Sequence, residues 1–293
     1  MKRLLITGAS GQLGAYLLAS SDCWDGDIVR WSGSKARASN GQTLKQVDLA
    51  DTRGLAAHLQ DCDPDVILHA GAISTVANCF NDPGTAQTVN VTATETLAQW
   101  CAERQRRLVF TSTDLVFDGK QGSYAEEQPA NPLSVYGQTK LAAESVVRHP
   151  DTMVVRLSLL FGTSHHGGKG FFDQQVEALV KGESVSLFED EHRTPLHLAD
   201  AANGLLLAAA SDQTGLFHLG GLERLSRWEM GCRLAEIVGK PNSFTRTRQA
   251  DIEFSEPRPA DVSLISQKWA TAFPTHVRRS FDEACSADLK LRT

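Results

Sequence analysis

The sequence predicts an α/β chain: a doubly wound parallel sheet of the Rossmann type, with a smaller C-terminal α/β part for substrate. Three observations carry this. The short apolar run Lys2–Thr7 leads straight into Gly8-Ala9-Ser10-Gly11-Gln12-Leu13-Gly14 and then the helical run Ala15–Ala19. Further apolar runs recur between helical stretches, as buried parallel strands do. Tyr136 and Lys140 stand four residues apart at a helix start, so their side chains share one face. The expected division is 1–162 for a dinucleotide-binding domain. Residues 163–293 are expected to be mostly a substrate-binding part, with segments returning to the first.

Composition narrows the function classes. The chain has 293 residues, 41% of them hydrophobic and 22% charged, enough for a substantial core. A formal net charge of −6 without any Lys/Arg stripe argues against nucleic acid and anionic membrane as partners. The partner to expect is a small-molecule substrate, and a homodimer is allowed. Cys23, Cys62, Cys79, Cys101, Cys232 and Cys285 form neither C-x-x-C nor a zinc spacing. They read as reduced thiols of a cytoplasmic protein. Met-Lys-Arg runs into a strand without the apolar stretch of a signal peptide, and no stretch reaches membrane-spanning length.

Taken in order, the turn at Gly8, Ser10, Gly11, Gln12, Leu13 and Gly14 is the expected cofactor cradle. The first glycine permits the tight turn, the second lets amides approach a pyrophosphate, and the third lets helix and strand pack closely. Asp27–Trp31 reads as the second strand. No acid follows it to take ribose hydroxyls, as an NAD site would want. Ser32, Ser34, Lys35 and Arg37 follow instead, hydroxyls and cations that suit a 2′-phosphate. The cofactor expected is therefore NADP(H), with NAD(H) as the alternative. Leu44–Leu49 reads as a third strand, with Asp48 placed to meet an adenine amino group and Leu49 beside it. Asp51–Gln60 follows as a helix. Pro64–His69 is a fourth strand ending in Ala70, Gly71 and Ala72, small enough to admit a cofactor beside the backbone. Thr85–Glu103 reads as one long helix containing Asn90.

Arg107–Thr111 reads as the fifth strand and delivers Ser112, Thr113 and Asp114 to its C-terminal end, where open α/β sheets place ligands. A hydroxyl at Thr113 can hydrogen-bond a substrate carbonyl and Tyr136 together. A cation at Lys140 is expected to lower the Tyr136 phenol toward the working range. Thr152–Leu157 reads as the sixth strand. His165 and His166 sit in a Gly-rich loop without a third ligand, so no metal site is expected. Phe171–Lys181, Ala199–Ala210 and Leu225–Val238 read as helices; beyond Lys240 the pattern fades.

Thr7–Gly14, Ser112-Thr113-Asp114-Leu115-Val116-Phe117-Asp118-Gly119, Asn131–Ser134 and Tyr136–Lys140 resemble an extended short-chain dehydrogenase/reductase. The S-T-D-x-V-F-x-G run points within that superfamily to the dTDP-4-dehydrorhamnose reductase family. Arg193–Asp200, Gly215–Gly221 and Arg258-Pro259-Ala260-Asp261 agree with it. The resemblance implies NADPH-dependent reduction of a nucleotide-linked 4-keto sugar. Tyr136 would donate the proton, Lys140 would hold the nicotinamide ribose, and Thr113 would orient the carbonyl. Asn90 falls in the cofactor set, and Arg193 and Arg258 lie toward the substrate's nucleotide. Two alternatives stay open. One is a nucleotide-sugar epimerase or dehydratase. The other is a non-catalytic NADP-binding regulatory subunit, as the regulatory subunit of methionine adenosyltransferase also resembles this family. One departure bears on substrate: Phe188–Pro195 is more charged than the family's Asp-Gln-x-Gly stretch.

Overall fold

Every strand of the central sheet runs parallel to its neighbours. β1 (Leu4–Thr7), β2 (Ile28–Ser32), β3 (Lys45–Gln46), β4 (Val66–His69), β5 (Arg107–Thr113), β6 (Thr152–Leu157) and β7 (Gly215–Leu219) stand in the order β3-β2-β1-β4-β5-β6-β7. The computed structural model describes residues 2–147 and 149–290. The strand order reverses between β1 and β4. Such a switch point opens a crevice at the strands' carboxyl ends.

The central strands β1, β4, β5 and β6 carry buried apolar residues on both sides because both sheet faces are covered. Leu4, Ile6, Leu68, Val109 and Met153 face one core, beneath helices Gln12–Ala19 and Leu198–Ala210. Leu5, Ile67, Leu108, Phe110 and Val154 face the other, beneath helices Thr52–Cys62, Ala93–Arg104 and Val135–Val146. This is the side-chain alternation of a strand, read on both sides. A third core gathers Phe161, Phe172, Leu179, Met230, Leu234 and Phe281 among helices Phe171–Lys181, Arg227–Val238 and Phe281–Lys290. No described helix is long and apolar enough to cross a membrane.

Several expectations shift in detail. The third strand shrinks to Lys45–Gln46, and Val47, Asp48 and Leu49 after it line the crevice. The long helix expected over Thr85–Glu103 is interrupted. It comprises Pro83–Gln87, a π-turn at Thr88–Thr92, then Ala93–Arg104. The fifth strand runs on through Ser112 and Thr113. The seventh strand, Gly215–Leu219, comes from the C-terminal half and pairs with β6, so the two halves of the chain interlock in one sheet. Leu225–Val238 divides into a two-residue strand and a helix from Arg227, because Ser226 and Glu229 form a capping box there.

Candidate active site

A cleft of about 860 Å³ lies along the carboxyl ends of the strands. The glycine turn forms one end. Gly8 has φ +70, and a Cβ there would stand 2.7 Å from the Gly71 amide nitrogen. At Gly14 a Cβ would fall 2.2 Å from the Gly8 carbonyl oxygen. Both positions therefore exclude any side chain. Helix Gln12–Ala19 starts without a side-chain cap at Gly11, which leaves its first amides for a ligand. Ser10, Gly11, Gln12, Leu13, Ser32, Asp48, Leu49, Ala70, Gly71 and Ala72 line the same cleft. These residues fit a dinucleotide.

The other end, where Thr113, Tyr136 and Lys140 meet, is built on two elements. β5 carries Thr113 to its last position, and helix Val135–Val146 presents Tyr136 and Lys140 one turn apart. Ser134 fixes the start of that helix by accepting a hydrogen bond from the Gly137 amide at 3.1 Å. All three side chains line the cleft. Lys140 is buried, its ammonium 4.1 Å from the centre of the Phe110 ring. Burial pushes it down to about 7, against the pull of Glu144.

This corrects the expected electrostatics of Tyr136. Burial pushes its phenol above the ordinary value, and the Asp114 charge pushes the same way; a hydrogen bond with Thr113 and the Arg193 charge act against them. Lys140 is not among its strongest influences. An ammonium that burial itself discharges near neutrality exerts little field on a neighbour. The phenol is thus held protonated, the form that can give up a proton to an oxygen.

Four expected cofactor residues stand outside the lining of the cleft. Asn90 is buried in the π-turn. Its Oδ1 accepts from the Ile73 amide at 2.8 Å, while its Nδ2 donates to the Ile73 carbonyl and to Thr139 Oγ1, each at 3.0 Å. It holds the loop after β4 to the Tyr136 helix, so its hydrogen-bonding capacity is used within the protein. Arg37 donates to the Gly41 carbonyl of its own hairpin at 3.3 Å. Lys35 Nζ donates to the His166 carbonyl at 2.7 Å, and the Ser34 carbonyl accepts from Gln46 Nε2 at 2.7 Å. Only Ser32 and Gly33 of that loop reach the cleft wall. Ser32 Oγ donates to Ser10 Oγ at 2.8 Å and accepts from the Lys35 amide at 3.0 Å.

Arg193 and Arg258 both line the cleft, yet they are not bare cations. Arg193 Nη1 donates to Asp114 at 2.8 Å, and Arg258 Nη2 donates to Glu191 at 2.6 Å. Glu191 is 1% exposed and also accepts from Arg227 Nε at 3.1 Å. Burial alone would raise its carboxyl, but Arg193, Arg227 and Arg258 together hold it below its ordinary value. The sequence marks Glu191 only as one charge of the Phe188–Pro195 stretch and does not single out Arg227. The signal for Arg227 was present: the S-x-x-E box at Ser226–Glu229 starts a helix with Arg227 as its first residue.

A model of the family described as "RmlD substrate binding domain" matches residues 1–290. The chain is 30% identical to the probable low-salt glycan biosynthesis reductase Agl14 of Haloferax volcanii, over 92% of this chain and 93% of that one. It is 30% identical to the methionine adenosyltransferase 2 subunit beta of Xenopus tropicalis, over 91% of this chain and 81% of the relative. The structure of a dTDP-4-dehydrorhamnose reductase from Bacillus anthracis in complex with NADP superposes with a TM-score of 0.85 at 20% identity, covering 100% of this chain and 99% of that one. The protein therefore belongs to the RmlD substrate-binding domain family, within the extended short-chain dehydrogenases/reductases.

Proposed function

We propose that the protein is an NADPH-dependent reductase of a nucleotide-linked 4-keto sugar. The observation that carries this reading is the convergence of Thr113, Tyr136 and Lys140 on the cleft that holds the glycine turn. The 30%-identical reductase supports it, as does the NADP bound by the dehydrorhamnose reductase of the same fold. When bound, the dinucleotide supplies the hydride that reduces the ketone carbon. Gly8, Ser10, Gly11, Gln12, Leu13 and Gly14 hold its pyrophosphate. Asp48, Leu49, Ala70, Gly71 and Ala72 line its adenosine side.

The protein's own work is positioning and proton transfer. Thr113 orients the carbonyl oxygen against the Tyr136 hydroxyl. Tyr136, protonated by virtue of its burial, gives its proton to the forming alkoxide. Lys140 holds the ribose hydroxyls on the nicotinamide side, and those hydroxyls restore to its ammonium the polar partners that burial removes. Arg193 and Arg258 face the phosphate-bearing portion of the substrate.

The test is NADPH oxidation across a panel of nucleotide 4-keto sugars, run beside direct NADPH titration. Turnover of any member supports the assignment. NADPH binding without turnover of any member favours the second reading, a nucleotide-binding regulatory subunit, which the 30% identity to the methionine adenosyltransferase subunit motivates.

A further inference from the structure

Arg193, Arg227 and Arg258 crowd one wall of the cleft around Glu191. With Asp114 included, three guanidinium groups face two carboxylates, leaving one net positive charge in a largely buried cluster. The two carboxylates offset two of the three cations, and the residual buried positive charge is costly until a further anion joins it. Two donors are left over as well. Arg193 Nε and Arg227 Nη1 are buried without a hydrogen-bond partner among the described residues. Buried donors of this kind are costly unless a ligand meets them.

Arg227 is held in place for such a ligand. Its backbone amide donates to the Glu191 carbonyl at 3.0 Å, and its Nε donates to the Glu191 carboxylate. The Ser226–Glu229 capping box fixes the helix start on which it stands. Its guanidinium lies on the face of Phe171, 4.6 Å from the ring centre. Arg258 is braced in the same way by Phe254 at 5.1 Å and Phe188 at 5.6 Å. Arg258 spends Nε and Nη2 on Glu191 and Arg227 spends Nε, so the Nη1 groups of the two guanidiniums remain as a pair of donors on either side of that carboxylate.

We propose that Arg227 is a substrate-binding, specificity-determining residue that completes with Arg258 a seat for the diphosphate of a nucleotide. Glu191 is the positioning residue that keeps the two guanidinium groups side by side. The proposal rests on the nucleotide-sugar reading and adds to it the group that selects a phosphoanhydride over a single phosphate. A diphosphate spans two guanidinium groups in bidentate fashion, whereas a monophosphate occupies one.

The test is calorimetric binding to protein saturated with NADPH, so that the glycine turn is already filled. The probes are inorganic pyrophosphate, dTDP and UDP, with inorganic phosphate and thymidine as controls. Wild type should bind pyrophosphate more tightly than phosphate, with affinity falling as salt rises. Arg227→Met should weaken pyrophosphate and the better-bound nucleotide by about 10- to 100-fold, the loss of a charge-assisted hydrogen bond. It should leave NADPH affinity unchanged. Arg227→Lys should recover part of the loss, since it keeps the charge without the fork. Glu191→Gln should raise the KM of a turned-over substrate more than it lowers kcat. Wild-type affinity for pyrophosphate in Arg227→Met, or no preference for pyrophosphate over phosphate in wild type, overturns the proposal. If pyrophosphate binds through Arg227 but neither dTDP nor UDP binds better than pyrophosphate, the diphosphate seat stands and the nucleotide reading fails.

Discussion

The two ends of the cofactor cleft are built in opposite ways. At the end proposed for catalysis, Thr113, Tyr136 and Lys140 are fixed by the last residue of a central strand and the first turns of a helix packed on the sheet. At the other end, the loop after β2 is mostly exposed, and its cations are engaged with carbonyls outside the cleft. The first end is preorganised by the core. The second depends on which way a few surface side chains turn. Chemistry that tolerates little misplacement belongs on the first, and cofactor preference can be delegated to the second.

The sharpest way to break this contrast is at Tyr136. Tyr136→Phe removes the proton donor and leaves the ring packing intact. Turnover should fall by roughly 10²–10⁴-fold while NADPH affinity stays about the same. Single-turnover kinetics beside a cofactor titration would check both halves. A variant that reduces substrate at the wild-type rate would remove Tyr136 from the mechanism.

Lys140 gives the next effect, and it has the opposite sign for stability. Burial lowers it from 10.5 to about 7, so the folded protein holds fewer protons than the unfolded chain between those values. Stability should therefore rise with pH through that window, and the full penalty of a buried ammonium is present below about pH 7. Lys140→Met removes the penalty. The variant should be more stable than wild type at pH 6 by roughly 2–5 kcal/mol, with the gap closing toward pH 10. Denaturant titrations at several pH values would measure it. A pH-independent difference, or a less stable variant at pH 6, would show that the ammonium is well accommodated. The same variant should lose activity, as expected where a catalytic group is held at a cost to the fold.

Asn90 sharpens the comparison from between the two ends. It ties the loop that lines the middle of the cleft to the Tyr136 helix. Asn90→Ala leaves the Ile73 amide and carbonyl without their partners, for a loss of about 1–3 kcal/mol. A melting temperature lower by several degrees and a higher KM for NADPH would follow. An unchanged melting temperature would count against the clamp.

What could be read in the sequence follows the same division. The glycine turn and the Tyr136/Lys140 pair are local motifs: residue spacing alone fixes their geometry once a strand or helix forms. The parallel strands were legible because burial on both faces demands continuous apolar runs, as at Leu4–Thr7 and Val66–His69. Asn90 was recognised by position but not in its role, because a π-turn redirects its side chain onto Ile73 and spacing does not reveal one. The phenol–ammonium coupling was misjudged because burial, which depends on the whole fold, outweighs the neighbour. The capping box marks where Arg227 stands and the charged stretch contains Glu191, but their pairing joins residues 36 apart in the chain, which no spacing reveals.

The smallest effect lies in the β2 loop, where the two cations that looked equivalent in sequence have separate surroundings. Arg37 is folded back on its own hairpin, bonded to the Gly41 carbonyl and bridged in backbone register with Thr43. Lys35 is different. Its amide is anchored to Ser32 Oγ, which is itself bonded to Ser10 on the glycine turn, so its backbone is tied to the wall of the cleft. Its ammonium holds only an exposed carbonyl, that of His166, which a phosphate would outcompete as a charged acceptor. Preference for NADPH should therefore rest on Lys35 rather than be shared. Lys35→Ala should weaken NADPH by about 5- to 30-fold and leave NADH nearly unchanged, whereas Arg37→Ala should alter both by less than about 2-fold. The double variant should match Lys35→Ala alone, because Arg37 contributes nothing to be lost. Paired titrations of both cofactors would decide it. Equal losses from the two single variants would mean that the hairpin opens to bring Arg37 to the phosphate, and that this end of the cleft is assembled by its ligand rather than before it.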